Sequence, residues 1–325
     1  MKAAWYCKNG EASDVLIVGE MQDPVAGPGE VRIRLATSGV NPSDVKSRKG
    51  KPLTSERVVP HSDGAGVIDQ VGDGVASSRL GERVWTWNAQ WQRSMGTASQ
   101  FVVLPSAQAV NLPESVDFAA GACLGIPALT AIEAVRLSGD VAGKRVLVTG
   151  ASSAVGHYIV QLLAMAGAHV MGTVGSAEKS LHAQAAGVRD VIFYKTESVA
   201  DRVKTITGGK GADIVIDMDF SSTAGLLAAG VLAPHGTLVC YGSSSAADVS
   251  INFRAFLMSS LAIKFFLVYE LQASAREAGL KQLAGLLLAG QLKHTVSRSF
   301  PLEEIARAHE AVEAGREIGN VVLTF

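Results

Sequence analysis

Arg145-Val146-Leu147-Val148-Thr149, closed by Gly150 and followed by a helical run over 155–166, is a buried strand that ends in a glycine turn and opens a helix. A chain carrying that unit is committed to a layered fold, and the next hundred residues keep the alternation. Strand-like runs at 168–173, 190–193, 212–217 and 237–241 are separated by helical segments at 176–186, 198–207 and 223–232. This half therefore reads as α/β, a doubly wound parallel sheet. Leu261-Ala262-Ile263-Lys264-Phe265-Phe266-Leu267-Val268 reads as a sixth strand, long and apolar. Either a second copy of the chain covers its edge, making a homodimer by sheet extension, or it is the buried last strand.

The period is different before residue 118. Short β segments at 30–36, 64–71, 83–87 and 100–104 are punctuated by turns, and all four tryptophans (Trp5, Trp85, Trp87, Trp91) lie there. Helices at 272–289 and 301–315 and a strand at 321–325 complete the chain. With 48% hydrophobic and 18% charged residues it is too apolar to be disordered, and 29 basic against 30 acidic residues leave no electrostatic footprint for nucleic acid or an anionic membrane. Segments 151–177 and 220–247 lack charge, but Gly, Ser, His and Pro interrupt them, unlike a membrane-spanning helix. Cys7, Cys123 and Cys240 are too few and too scattered for a disulfide framework or a cysteine-rich zinc lobe. Charge and glycine break the amino terminus before a signal peptide could form, so the expectation is a soluble, cytoplasmic protein.

Residues 150–156 (Gly-Ala-Ser-Ser-Ala-Val-Gly) sit where backbone N–H groups and the helix dipole can meet a pyrophosphate. Against the strict Gly-x-Gly-x-x-Gly pattern, Ala151, Ser153 and Gly156 stand at the three positions, so only the close-packing glycine is kept. Eighteen residues after Gly156, where an acid would grip the ribose of NAD, stands Val174. Ser176, Lys179 and Tyr194 can instead surround a 2′-phosphate, which favours NADPH. The same turn also fits a hydrolase nucleophile elbow with Ser152 as nucleophile, drawing on Asp217 and on His235, His294 or His309. That fold needs parallel strands before the elbow, and the preceding half looks antiparallel.

Several ordered motifs carry a resemblance: Gly39-Val40-Asn41-Pro42-Ser43-Asp44, Pro60-His61-Ser62-Asp63-Gly64-Ala65-Gly66, Val71-Gly72-Asp73-Gly74-Val75, Gly81-Glu82-Arg83-Val84, Gly125-Ile126-Pro127-Ala128-Leu129-Thr130, the 150–156 turn and Gly319-Asn320-Val321-Val322-Leu323. The chain resembles, nearly end to end, the zinc-free quinone oxidoreductase branch of the medium-chain dehydrogenase/reductase superfamily, to which zeta-crystallin belongs. The resemblance implies a GroES-like β-rich catalytic domain (1–123 and 291–325), a Rossmann domain (124–290), an active cleft between them, NADPH, and homo-oligomers joined at the Rossmann sheet edge. It implies hydride transfer to a quinone, with an enone (2-alkenal) reductase as the alternative enzyme. A non-catalytic NADPH- or RNA-binding crystallin-like protein is the alternative of another class.

Where zinc-using relatives have Gly-His-Glu this chain has His61-Ser62-Asp63, so no zinc is expected; His61 alone in a loop reads first as structural or solvated rather than catalytic. Asn41 is the candidate to donate to the acceptor oxygen or to position the cofactor amide, its plainer reading being a turn residue before Pro42. Lys46 can place a positive charge near the developing anion, although Lys46, Arg48, Lys49 and Lys51 read equally as a solvated loop. Trp87 and Trp91 are candidates for an apolar wall under a quinone ring. For the cofactor the candidates are Thr130, Ser152, Ser153, Ala154, Val155, Gly156, Ser176, Lys179, Tyr194, Asp217, Gly242, Ser243 and Arg316.

Overall fold

The computed structural model describes residues 1–53 and 55–325. Contacts divide the chain into Met1–Pro127 with Gly285–Phe325, and Ala128–Ala284, against the sequence-based 1–123 with 291–325 and 124–290.

In the first unit the long strand Glu30–Val40 is the hub. It pairs antiparallel with Asp63–Val71, Phe101–Pro105 and Asn320–Thr324, and Val296–Pro301 joins the last of these in parallel. Alternation sets its faces: Val31, Ile33 and Leu35 go to a core with Ile68, Val84, Val102 and Leu104, while the intervening Arg32 pairs with Asp69. The carboxyl-terminal strand thus returns to the sheet begun near residue 30. The basic run corrects the sequence reading. Residues 46–50 belong to a helix, Pro42–Gly50, started by Pro42 and by Asp44, whose Oδ2 accepts the Asn41 N–H. Arg48 on that helix is fully buried, ion-paired with Glu313 and donating to the Gly10 carbonyl.

In the second unit, strands β1 (Arg145–Val148), β2 (His169–Val174), β3 (Asp190–Phe193), β4 (Ala212–Asp217), β5 (Leu232–Cys240) and β6 (Ala262–Phe265) form one parallel sheet ordered 3-2-1-4-5-6. This is the dinucleotide-binding Rossmann order. Val146, Leu147 and Val148 are all fully buried, which is why β1 reads as an unbroken apolar run. Helices α1 (Ala154–Met165), α2 (Ala177–Ala186), α3 (Val199–Thr207) and α4 (Phe220–Ala228) connect successive strands, and α5 (Phe253–Met258) precedes β6. Ser153, Ser176, Ser198 and Asn252 cap α1, α2, α3 and α5 through side-chain oxygens.

Two boundaries differ from the sequence reading. Gly230, at φ +81°, separates α4 from a strand that starts at Leu232, nine residues long rather than the five of 237–241. The sixth strand is only Ala262–Phe265, because the chain turns at residues 266–270 and the Arg276 guanidinium takes the Val268 and Tyr269 carbonyls that a longer strand would use. β6 is nevertheless a sheet edge, and Phe265 and Leu267 are exposed beside it. No helix among the described residues is long and apolar enough to cross a membrane.

Candidate functional site

The turn after β1 is tied down before it can bind anything. Gly150 N–H donates to Thr173 Oγ1 at 2.9 Å and Ala151 N–H to the Thr173 carbonyl at 3.1 Å, which locks the turn to the end of β2. Gly150 takes φ +65°, and a Cβ on it would strike Met218 Sδ. A Cβ on Gly156 would collide with the Gly150 carbonyl oxygen, so glycine is required for α1 to start this close to the turn. Ser153 Oγ accepts the Gly156 N–H at 3.0 Å. The preceding amides, of Ala154 and Val155, belong to the first helical turn, which has no intrahelical acceptors. Helix-end amides over a side-chain-free backbone fit a pyrophosphate, with serine and alanine serving where the strict pattern has glycine. Thr130, second residue of the buried helix Leu129–Ser138, is itself buried in the same unit.

At the end of β2 Val174 is buried and offers no hydrogen bond to a ribose. Ser176 caps α2, its oxygen accepting the Lys179 N–H at 3.3 Å, so its hydroxyl proton is what remains for a ligand. A Cβ placed on the neighbouring Gly175 would lie 3.0 Å from Tyr194 Oη and 3.3 Å from Lys195 Cε. Tyr194 and Lys195 are thus brought beside Gly175 and Ser176. The sequence reading named Ser176, Lys179 and Tyr194 here and did not name Lys195.

At the carboxyl ends of β4 and β5 the sequence reading needs a correction. Asp217 is fully buried, its Oδ1 accepting Thr149 Oγ1–H and Thr223 Oγ1–H, both at 2.8 Å, and burial raises its pKa. Its carboxyl ties β4 to β1 and α4 and is not presented to a ligand. The more accessible acid is half-buried Asp219, which accepts from the Ser221 and Ser222 hydroxyls, the Ser244 N–H and the Ser244 hydroxyl. These bonds hold its pKa below the usual carboxylate range against the opposing effect of burial, and they staple the loop after β5 to the start of α4. Gly242 and Ser243 lie in that loop and line a cavity of about 320 Å3 with Phe220, Tyr241, Phe265 and Phe266.

Asn41, Lys46, Trp87, Trp91 and Arg316 belong to the other unit. Asn41 is buried at the helix start and donates from Nδ2 to Asp63 Oδ2 at 2.9 Å, an oxygen that also accepts the Ile126 N–H at 3.0 Å. Burial pushes the Asp44 carboxyl up to about 7 and that of Asp63 well above its usual range. Lys46 and Arg316 are exposed, Trp87 and Trp91 half-buried, and the Lys51 ammonium lies 4.2 Å from the Trp91 ring centroid. One Trp91 face therefore carries a cation rather than standing as a bare apolar wall.

His61 is fully buried at φ +78°. Thr97 Oγ1–H donates to the Asp63 carbonyl at 2.6 Å, so Ser38 donates to Thr97, His61 Nδ1–H donates to Ser38, and His309 Nε2–H donates to His61 Nε2 at 2.9 Å. Both His61 nitrogens are used, and burial lowers its pKa to about 3 and that of His309 well below the ordinary range. Of the two plainer readings of His61, structural or solvated, the burial agrees with the first, and the pairing with His309, 248 residues away, had no sequence signal. Among the described residues no group of three or more His, Cys, Asp or Glu is placed to hold a metal ion.

The hydrolase alternative loses its parts. The parallel sheet begins at β1, so among the described residues no parallel strand of that sheet precedes β1, and Ser152 lacks the positive φ of a nucleophile elbow. Asp217 is buried, and His235, the candidate histidine in this unit, lies in the first half of parallel β5, away from the carboxyl ends where Ser152 sits.

Residues 27–114 match the family model of the alcohol dehydrogenase GroES-like domain, and 186–323 that of the zinc-binding dehydrogenases. The quinone oxidoreductase of Rattus norvegicus is 32% identical over 96% of this chain and 92% of its own length. The chain belongs to the quinone oxidoreductase branch of the medium-chain dehydrogenase/reductase superfamily. Within that family, the 2-haloacrylate reductase of a Burkholderia species is 31% identical over 99% of this chain and 98% of its own. Among solved structures, that of Escherichia coli quinone oxidoreductase complexed with NADPH superposes at a TM-score of 0.89, with 26% identity and complete coverage of both chains. The chain is thus a member of an oxidoreductase enzyme family with the GroES-like and Rossmann parts that family has.

Proposed function

We propose that this chain reduces quinones with NADPH, without zinc. The observation that carries the reading is the β2 end: the Rossmann order and the built turn at 150–156 call for a dinucleotide, and buried Val174 beside Ser176, Lys179 and Tyr194 suits a 2′-phosphate rather than a free ribose hydroxyl. Relatives named quinone oxidoreductase, and the NADPH-bound Escherichia coli structure, support it. When bound, NADPH supplies the hydride.

The chain's own residues bind, orient and exclude water. Ser152, Ser153 and the free amides of Ala154 and Val155 hold the pyrophosphate, while Gly156, whose N–H goes to Ser153 Oγ, lets the helix start close to it. Thr130, Gly242 and Ser243 flank the nicotinamide half, with Asp217 acting on it only by fixing the strand end. Asn41 orients the reacting groups, held by Asp63, and Lys46 offsets negative charge developing on the acceptor oxygen. Trp87 and Trp91 form part of the acceptor wall. Among the described residues no donor set for zinc is assembled, which supports a zinc-free reading: Ser62 takes the ligand position, and both His61 nitrogens serve the Ser38 and His309 bonds.

The unpaired outer edge of β6, with Phe253, Leu257, Met258 and Phe265 exposed nearby, supports a homodimer by sheet extension. Three free cysteines suit a reducing, cytoplasmic setting. A second acceptor class, a conjugated alkene next to a carbonyl, is favoured by the 2-haloacrylate reductase relative. Following NADPH absorbance on addition of naphthoquinone, then of a 2-alkenal, tests both. Turnover above the enzyme-free rate with the quinone supports the first reading, turnover with the alkenal alone selects the second, and cofactor binding with neither turned over sinks both.

A further inference from the structure

We infer that Lys195 is a second cation of the 2′-phosphate site and shares with Lys179 the discrimination between NADPH and NADH. The inference rests on the proposed NADPH reading, in which the turn after β2 holds a 2′-phosphate.

Lys195 is an exposed lysine that has all of solvent available, yet its Cε comes within 3.3 Å of the point where a Gly175 side chain would begin. Its stem therefore runs back across the turn after β2, and Tyr194 Oη reaches the same point at 3.0 Å. The carboxylate of its own turn is unavailable to neutralise it. Glu197 Oε2 accepts the Phe193 N–H at 2.6 Å and Glu197 Oε1 pairs with Arg202 at 3.0 Å, so that acid faces its own turn and α3. On the other side of the turn, Ser176 Oγ holds the Lys179 N–H, which fixes the start of α2 with its first-turn amides directed out of the helix end.

A phosphate beside Gly175 would thus meet Lys179 from α2 and Lys195 from the turn after β3, two elements that approach from different strands. It carries close to two negative charges, as phosphate monoesters do near neutral pH. NADH presents only a hydroxyl there and gains little from either cation. The lack of a side chain at Gly175 is what lets Tyr194 and Lys195 come this close to the turn; a larger residue would push both away.

The test is the dissociation constants of NADPH and NADH, by intrinsic fluorescence, for the full chain and for Lys195→Ala, Lys195→Arg and Lys179→Ala. Lys195→Ala is expected to weaken NADPH about tenfold, about one unit of log Kd, and to leave NADH within about twofold, with Lys195→Arg recovering most of the loss. The NADPH affinity of Lys195→Ala should also fall less steeply with salt than that of the parent. If Lys179→Ala loses the NADPH preference while Lys195→Ala keeps it, the inference is overturned and the NADPH reading stands. Equal losses for both nucleotides would assign Lys195 to the turn's stability, also overturning it. A parent chain that binds both nucleotides equally would overturn the inference and the reading together.

Discussion

Replacing His61 by Asn removes one buried imidazole from the Thr97–Ser38–His61–His309 chain, at a position whose φ of +78° Asn tolerates better than most residues. In an unfolded chain His titrates near pH 6.5, whereas burial holds His61 neutral down to about 3. The unfolded chain therefore takes up the proton first. The stability that His61 contributes is complete above pH 6.5 and is lost as pH falls toward 3. At pH 5 the loss is RT ln(1 + 10^1.5), about 2 kcal/mol. At pH 8 the variant should be less stable by about 1–3 kcal/mol, because His309 Nε2–H loses its acceptor. The gap between parent and variant should then shrink by about 2 kcal/mol between pH 8 and pH 5, with His309 present in both proteins. Urea unfolding followed by tryptophan fluorescence reads the right unit, since all four tryptophans fall within Met1–Pro127. A gap that stays constant across that range would refute the buried neutral pair.

The opposite sign is expected for Asp44, whose folded pKa is pushed up to about 7. The folded carboxyl keeps a proton that the unfolded one releases, so stability is lost as pH rises from about 4 to 7; Asp44→Asn should gain on the parent by about 2–3 kcal/mol between pH 5 and pH 8 in the same urea assay. Gly156→Ala drives a Cβ into the Gly150 carbonyl and should cost about 1–3 kcal/mol of thermal or urea stability and weaken NADPH at least about tenfold by fluorescence titration. Leu257→Glu alters a side chain that is 62% exposed, so the fold should survive while light scattering shows a shift from dimer toward monomer. An unchanged mass would remove the sheet-edge interface.

Local pattern carried the coenzyme unit a long way. The β1 turn and four of the six strands follow from apolar runs broken by glycine and serine, because a parallel strand buried on both faces has to be continuously apolar. Where the pattern was ambiguous, the sequence reading slipped. The apolar residues between Thr223 and Leu232 suit a helix or a strand equally, and the conformation of Gly230 decides where one ends. The run at 261–268 has no local stop signal, since the stop is Arg276 reaching back to carbonyls from the next helix. Arg48 looked like one of four solvated cations because its partner, Glu313, is 265 residues away.

The candidate site divides in the same manner. Ser153, Gly156, Ser176, Lys179 and the valine at 174 could be named from spacing alone, because a strand, a turn and a helix start place them within a few residues of one another. Spacing likewise pointed to the α/β class of the second unit, whereas the GroES-like domain came only with the family resemblance and the turn by itself also fitted a hydrolase elbow. Only the folded chain could bring Lys195 over Gly175, pair Asn41 with Asp63, join His61 to His309 and bury Asp217 as a strap between strands. Those are pairings between side chains of distant segments or neighbouring strands, and hydrogen bonding and desolvation act on distance in space, which the order of residues along a chain does not encode locally.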